Sequence, residues 1–172
     1  MKHHFNEDRT ESLNRLIPDL YNYKTVLYVG ARSDRFDYGE DFKKAGCDIT
    51  ILEIHPSNVK HLEKLGYLVH QGDVRRWNAL IKYDIVFWWH GPEHIEESEL
   101  KETLSRLEQY ARVAVVLGCP WGEFNQGAIH GNENEKHVSS LDFIMFEELG
   151  YDVECLGRKD VRGSNITAVK KI

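Results

Sequence analysis

Apolar positions along the chain follow two alternating periods. Short, nearly continuous runs of β-branched residues are typical of strands buried on both faces, and spacings of three or four residues are typical of amphipathic helices. The runs predict seven strands, at residues 25–29, 48–52, 67–70, 83–88, 112–117, 152–156 and 165–170. The helical spacings predict six helices, at residues 11–21, 36–45, 57–65, 75–80, 96–110 and 135–149.

Alternation of strands and helices predicts an α/β fold. Strands joined through helices form right-handed βαβ units, so we expect a doubly wound, mostly parallel seven-stranded sheet with helices on both faces. The sequence DVRGS at residues 160–164 is a turn signal and predicts that the last two strands form a C-terminal antiparallel hairpin. We expect one domain over residues 1–172, with an N-terminal helical segment at 1–23 and a substrate lid at 118–140.

Composition narrows the class of protein. Hydrophobic residues make up 41% of the 172 residues, which supports a packed core. The net charge of −6, without a basic run, disfavours nucleic acid as a partner. Three cysteines without CxxC spacing favour a reducing compartment, and no apolar run approaches the roughly 20 residues of a membrane helix. We therefore expect a cytoplasmic protein with no membrane partner. The composition does not decide between a monomer and a homodimer.

Candidate ligand-binding residues follow the first three predicted strands. Ligands of doubly wound sheets bind at the carboxyl ends of the strands, where Gly30, Glu53 and Asp73 are predicted to lie. A glycine lets a ligand approach the backbone, and a carboxylate can accept hydrogen bonds from both hydroxyls of a ribose. Asp73 has a second reading, as the cap of the helix predicted at 75–80. Because GxGxxG is absent, a nucleotide-dependent oxidoreductase is the less favoured class.

The order of these features resembles the class I S-adenosylmethionine-dependent methyltransferases over nearly the whole chain. The resemblance lies in VGARSD at 29–34, in Glu53, in GDV at 72–74, in GPEH at 91–94 and in CPWG at 119–122. It implies methyl transfer from S-adenosyl-L-methionine to a small polar molecule by in-line displacement. It implies a cofactor pocket lined by Gly30, Ala31, Asp34, Glu53, Ile54, Asp73, Val74 and Trp88. The first loop departs from the usual GxGxG pattern, so a non-catalytic Rossmann-like binding module that has lost the cofactor is the alternative.

Residues beyond the fourth main strand are candidates for the methyl acceptor site. His90 or His94 can act as a general base, because histidine titrates near neutral pH. Substrate contacts are predicted for Trp89, Glu93, Trp121 and His137. Two histidines four residues apart can share a metal on a helix, but Pro92 interrupts that spacing, so no metal site is predicted.

Overall fold

The computed structural model describes residues 2–4, 8–32 and 35–172. Its strands are β1 (Lys2–His4), β2 (Thr25–Val29), β3 (Asp48–Glu53), β4 (Leu68–Gln71), β5 (Tyr83–Trp89), β6 (Ala111–Cys119), β7 (Asp152–Leu156) and β8 (Asn165–Lys171). Its α-helices are α1 (Arg9–Leu16), α2 (Gly39–Lys44), α3 (Pro56–Lys64), α4 (Glu97–Tyr110) and α5 (Phe143–Glu148). No helix in these ranges is long and apolar enough to cross a membrane.

All strands belong to one sheet, in the order β1-β7-β8-β6-β5-β2-β3-β4. Strand β8 is antiparallel to β6 and β7, and the other neighbours are parallel. The doubly wound fold and the C-terminal hairpin are thus confirmed. The described sheet has eight strands because β1, which the sequence pattern did not predict, pairs in parallel with the outer edge of β7.

The two faces of the sheet carry separate cores. Consecutive strand residues point to opposite faces, so Trp88 packs with α4 on one face while Trp89 packs with α1 and α2 on the other. Helix α4 places Leu100, Leu104 and Leu107 fully against the sheet. This confirms the amphipathic helix predicted from their spacing.

Two predicted helices are absent or shortened. At 75–80 there is only a turn, in which the amides of Arg76 and Trp77 donate to the Asp73 carbonyl oxygen, and Leu80 is 99% exposed. Six residues without a buried apolar stripe are too few to stabilise a helix. The helix predicted at 135–149 begins only at Phe143, because Val138 and Ser139 instead donate backbone hydrogen bonds to Glu93.

The N-terminal helix is also shorter than predicted. Helix α1 covers Arg9–Leu16, and a single 3-10 turn follows at Leu20–Asn22. Pro18 interrupts the pattern between them, because proline cannot donate the backbone hydrogen bond that would continue the helix. Helix α2 similarly covers only Gly39–Lys44 of the predicted 36–45.

Candidate active site

A cleft lies at the carboxyl ends of β2, β3 and β5 and has an empty volume of about 930 Å³, including its open mouth. Its position is the one that the topology of a doubly wound sheet favours for a ligand. The predicted residues that line it are Gly30, Glu53, Ile54, Asp73, Val74, Trp88, Trp89, His90, Glu93, His94 and His137. Their convergence means that the ends of five strands, β2 to β6, and the loops that follow them build one site.

Gly30 ends β2 in the left-handed region of backbone conformation, at φ +76°. A side chain there would be strained, although the nearest atom to an added Cβ, Trp88 Nε1, is 4.0 Å away. The Gly30 amide donates to Leu52 O at 2.8 Å, which ties this loop to β3. Ala31 does not line the cleft, since its side chain is buried against the core. Asp34 lies outside the described residues.

Glu53 ends β3 and is only 5% exposed. Its Oε1 accepts hydrogen bonds from the His55 amide at 2.8 Å and from Asn58 Nδ2 at 3.2 Å. Burial raises the pKa of Glu53, these two hydrogen bonds lower it and the charge of Glu135 raises it, leaving the pKa above its usual value. Both of these hydrogen bonds go to Oε1, so Oε2 is the oxygen better placed to accept from a ligand.

Asp73 follows β4 and is held by its neighbour Arg75. Its two oxygens accept hydrogen bonds from the Arg75 amide and guanidinium at 2.6–3.1 Å. The side-chain hydrogen bond from Arg75 lowers the pKa of Asp73 despite partial burial. Arg75 Nη1 also donates a hydrogen bond to Glu99 Oε2 at 2.8 Å, which connects this turn to α4. Asp73 therefore caps a turn, not the helix that was predicted, and its carboxylate is already occupied by these donors.

Trp88 and Trp89 form the floor of the cleft, and both are almost fully buried. Gly91 and Gly118 are the residues that make room for them. A Cβ on Gly91 would overlap the Trp88 indole, and a Cβ on Gly118 would overlap the Trp89 indole. Trp89 also stacks on Phe87, with ring centroids 5.6 Å apart and an interplanar angle of 12°. Their orientations are therefore fixed by packing before any ligand binds.

His90 adopts a left-handed backbone conformation, at φ +50°, which is uncommon for a side-chain-bearing residue. Arg9, at the start of α1, donates from Nη1 to His90 Nε2 at 2.6 Å. Because arginine only donates, Nε2 carries the lone pair and the imidazole proton lies on Nδ1 when the ring is neutral. His90 Nδ1 faces Glu93 Oε1 at 3.4 Å. Nε2 is thus hydrogen-bonded, whereas Nδ1 lies within ion-pair distance of a carboxylate without a hydrogen bond to it.

Glu93, His94 and His137 form a cluster on the opposite wall. The carboxylate of Glu93 is buried, and His137 Nε2 lies 3.9 Å from its Oε1. Burial by itself raises the pKa of Glu93, but contact with His90 and the charge of His94 bring the pKa below its usual value. Burial is also the main cause of the lowered pKa of His137. The imidazoles of His94 and His137 meet edge to face, with centroids 5.0 Å apart.

The segment predicted as a lid at 118–140, whose first two residues belong to β6, folds over the cleft and brings polar side chains to it. Gln126, Asn134 and Glu135 line the cleft from this loop. Arg32 Nη1 in the first loop donates to Glu135 Oε2 at 3.0 Å, so an ion pair joins the two sides of the opening. Arg9 and Arg32 were missed because their partners lie 81 and 103 residues away along the chain.

Trp121 is placed away from the cleft by the described structure. Its ring packs edge to face on Phe143, with centroids 6.0 Å apart. Its carbonyl oxygen accepts hydrogen bonds from the Asp160 amide and from Ser164 Oγ. These contacts attach the start of the loop to the turn between β7 and β8. Trp121 is thus brought to the base of the loop and not to the cavity wall.

Comparison with known proteins finds similarity of structure but none of sequence. No family model and no curated protein matches the chain. DhpI in complex with SAH superposes with a TM-score of 0.69 at 12% identity, covering 94% of this chain and 83% of DhpI. Magnesium protoporphyrin IX methyltransferase from Synechocystis PCC 6803, with bound SAM, gives a TM-score of 0.66 at 13% identity over 94% of this chain and 76% of that one.

A third solved structure covers more of both chains. The glycopeptide N-methyltransferase MtfA, complexed with S-adenosyl-L-homocysteine, has a TM-score of 0.64 at 16% identity, over 96% of this chain and 91% of MtfA. Together with the strand order and the antiparallel β8, these likenesses show that the chain has the class I methyltransferase fold.

Proposed function

We propose that the protein is an S-adenosylmethionine-dependent methyltransferase that acts on a small polar molecule. One observation carries the proposal. Gly30 and the buried carboxylate of Glu53 lie side by side in one cleft, at the carboxyl ends of two adjacent parallel strands. Structures with the same fold have been solved with SAM or SAH bound. The opposite wall, built by the segment from Trp88 to His94 and by the 118–140 loop, leaves room for an acceptor.

The residues on the β2–β3 side fit the parts of this cofactor. Gly30 permits close backbone approach by the methionine portion, and Glu53 Oε2 accepts hydrogen bonds from the ribose diol. Ile54 and Val74 offer apolar walls to the adenine. Because Arg75 occupies both Asp73 oxygens, we assign Asp73 to positioning this turn rather than to direct reading of the base. Asp34 remains a prediction from sequence for the cofactor ammonium group.

When bound, the cofactor supplies an electrophilic methyl group on a sulfonium. The chain's contribution is to hold the acceptor in line and to exclude water. His90 is a poor proton acceptor in this role, since Arg9 already uses the lone pair on Nε2. His94 Nδ1 lies 3.0 Å from the Lys136 carbonyl oxygen, so its proton is held there and Nε2 keeps the lone pair. His94 is therefore the better candidate for a base.

The acceptor is proposed to be small and polar because of the side chains on the loop over the cleft. Gln126 and Asn134 line the cavity, and their amide nitrogens donate to Glu135 O and to Asn132 Oδ1. Their side-chain oxygens therefore suit an acceptor that carries neutral hydrogen-bond donors. Glu123 is exposed on the same loop and disfavours an anionic acceptor, whereas the charge of Glu133 is compensated by Lys136. A neutral or cationic molecule with hydroxyl or amine groups meets these conditions.

Calorimetry with S-adenosylmethionine and, separately, with NAD tests the proposal. We expect binding of S-adenosylmethionine and none of NAD, followed by transfer of a labelled methyl group to members of a panel of small alcohols and amines. Absence of S-adenosylmethionine binding at millimolar concentration would overturn the proposal and leave the non-catalytic binding module. Binding of NAD alone would indicate an oxidoreductase.

A further inference from the structure

The carboxylate of Glu93 is buried without the hydrogen bonds that a buried charge requires. The residue is 2% exposed, and neither Oε1 nor Oε2 has a hydrogen-bond partner among the described residues. The nearest ionisable nitrogens, on His90 and His137, are 3.4 and 3.9 Å from Oε1. An unsatisfied buried carboxylate is costly, and in native proteins such a group is usually paired or bound to a metal.

Two imidazoles beside this carboxylate are oriented in the way that metal-binding histidines are. His94 Nδ1 lies 3.0 Å from Lys136 O, and His137 Nδ1 lies 2.8 Å from Phe124 O. Each carbonyl oxygen can only accept, so it holds the imidazole proton on Nδ1 and leaves a lone pair on Nε2. A backbone carbonyl that fixes the tautomer in this way is a common outer partner of a metal-ligating histidine.

We propose that Glu93, His94 and His137 bind one divalent transition-metal ion. Their candidate ligand atoms all lie within 4.8 Å of one another, and all three side chains line the cleft. Ligands about 2.1 Å from a tetrahedral zinc ion are roughly 3.4 Å apart, so the three atoms need to approach one another by up to about 1.4 Å. Two imidazoles favour zinc, iron or copper over magnesium or calcium, which prefer all-oxygen ligands.

The backbone brings the third ligand to this place from far along the chain. Val138 and Ser139 donate backbone hydrogen bonds to Glu93 O at 3.0 and 3.3 Å, and Ser139 Oγ donates to Ile95 O. These contacts clamp the 118–140 loop onto the segment that carries Glu93. Across the cluster, His90 Nδ1 is directed at Glu93 Oε1 and can restrain the carboxylate from outside the ligand set.

Three protein ligands leave at least one coordination position open toward the cleft. If the proposed methyltransferase function holds, an oxygen of the acceptor is the ligand suited to that position, and an alcohol or phenol becomes the favoured acceptor class. The metal and a general-base role for His94 exclude each other, because both use the lone pair on Nε2.

Zinc titration of the purified, chelator-treated chain tests the proposal without any cofactor. Matched variants remove one ligand atom each: Glu93→Gln keeps the side-chain volume, and His94→Asn and His137→Asn keep a donor for the carbonyl that Nδ1 now contacts. His61→Asn, on the exposed face of α3, is the control. Because the sequence also contains a consecutive pair, His3 and His4, the titration is repeated in His3→Ala/His4→Ala as a second control.

We expect one zinc ion per chain for the original protein, for His61→Asn and for His3→Ala/His4→Ala. Each ligand variant should lose at least about tenfold in affinity, and a fixed zinc concentration should raise the melting temperature of the original chain more than that of these variants. Circular dichroism confirms that each variant is folded. Cobalt(II) provides a second reading, since a protein site with nitrogen ligands gives it a visible ligand-field spectrum.

Equal zinc binding by the original chain and by Glu93→Gln would overturn the proposal, and so would no binding at micromolar free zinc. S-adenosylmethionine binding is measured separately in the presence of EDTA. If the original chain binds S-adenosylmethionine but not zinc, only the metal site is refuted. If it binds zinc but not S-adenosylmethionine, only the proposed function is refuted.

Discussion

Replacement of Glu53 by glutamine is the sharpest test of the cofactor side of the cleft. The amide oxygen of the Glu53→Gln side chain would still accept the hydrogen bonds of His55 and Asn58, and the volume is the same, so the fold should be retained. The charge is lost. With the amide oxygen held by His55 and Asn58, the amide nitrogen takes the place of Oε2, so the ribose hydroxyls lose their acceptor there and can only accept. Hydrogen bonds to a charged acceptor contribute about 1.5–3 kcal/mol and neutral ones about 1, so the two hydroxyls should lose at least about 2 kcal/mol together, or roughly 30-fold in Kd.

Calorimetry of S-adenosylmethionine binding measures this loss directly. Glu63→Gln on the exposed side of α3 removes the same charge at a distance from the cleft and should leave Kd unchanged. Thermal unfolding of both variants shows whether a weaker affinity has a structural cause. Glu53→Ala is a poorer choice, because it leaves the Asn58 side-chain amide without its buried acceptor.

The pH profile gives an independent reading of the same residue. Burial raises the pKa of Glu53 above its usual value, which is about 4.3 for a free glutamate. If binding needs ionised Glu53, the affinity should weaken as the pH falls through this raised pKa. The weakening should begin at a higher pH than it would for a glutamate with the usual pKa. Glu53→Gln should remove that pH dependence. An unchanged Kd in Glu53→Gln, with an unchanged pH profile, would refute the assignment of Glu53 to the ribose.

Three further predictions concern stability. Gly91→Ala should destabilise the chain by about 1–3 kcal/mol in urea unfolding, because its Cβ would overlap the buried Trp88 indole, whereas Gly127→Ala has open space and should be neutral. Leu104→Ala on α4 should lower the free energy of unfolding by about 2–5 kcal/mol, since the side chain is fully buried. Burial raises the pKa of Asp84, but hydrogen bonds from the backbone amides at the start of β2 outweigh it and the pKa is lowered. Its stabilisation should be present above the unfolded pKa of about 3.9 and be lost as the pH falls through the lower folded value, and Asp84→Asn should lack this acid-dependent loss in pH-resolved melting curves.

The strands were predictable because their signal is local. Buried parallel strands need continuous apolar runs, and the seven runs in the sequence correspond to β2–β8. Strand β1 escaped prediction because Lys2–His4 is short and polar and pairs only at the edge of the sheet. The helix predicted at 75–80 failed for a different reason. Its apolar residues are too few to make a buried stripe, and hydrogen bonds to Asp73 close a turn instead.

The site was predictable where topology alone determines position. Residues that follow parallel strands meet at one edge of the sheet, so Gly30, Glu53 and Asp73 could be grouped from the sequence. Their partners could not be predicted in this way. Nothing in the local pattern around Arg9 indicates that it meets His90, because the contact depends on how α1 packs beside the sheet.

The Glu93 cluster shows why spacing rules are a poor guide to sites closed by loops. Helical spacing directs attention to His90 and His94, and Pro92 argues against that pair. The structure instead combines His94 with His137, which lies in the long loop. The two residues after His137 donate backbone hydrogen bonds to Glu93 O and hold it there. A ligand set built in this way has no fixed sequence interval. Variation in the 118–140 loop can therefore change the acceptor side of the cleft while Gly30 and Glu53, at the ends of β2 and β3, stay in place.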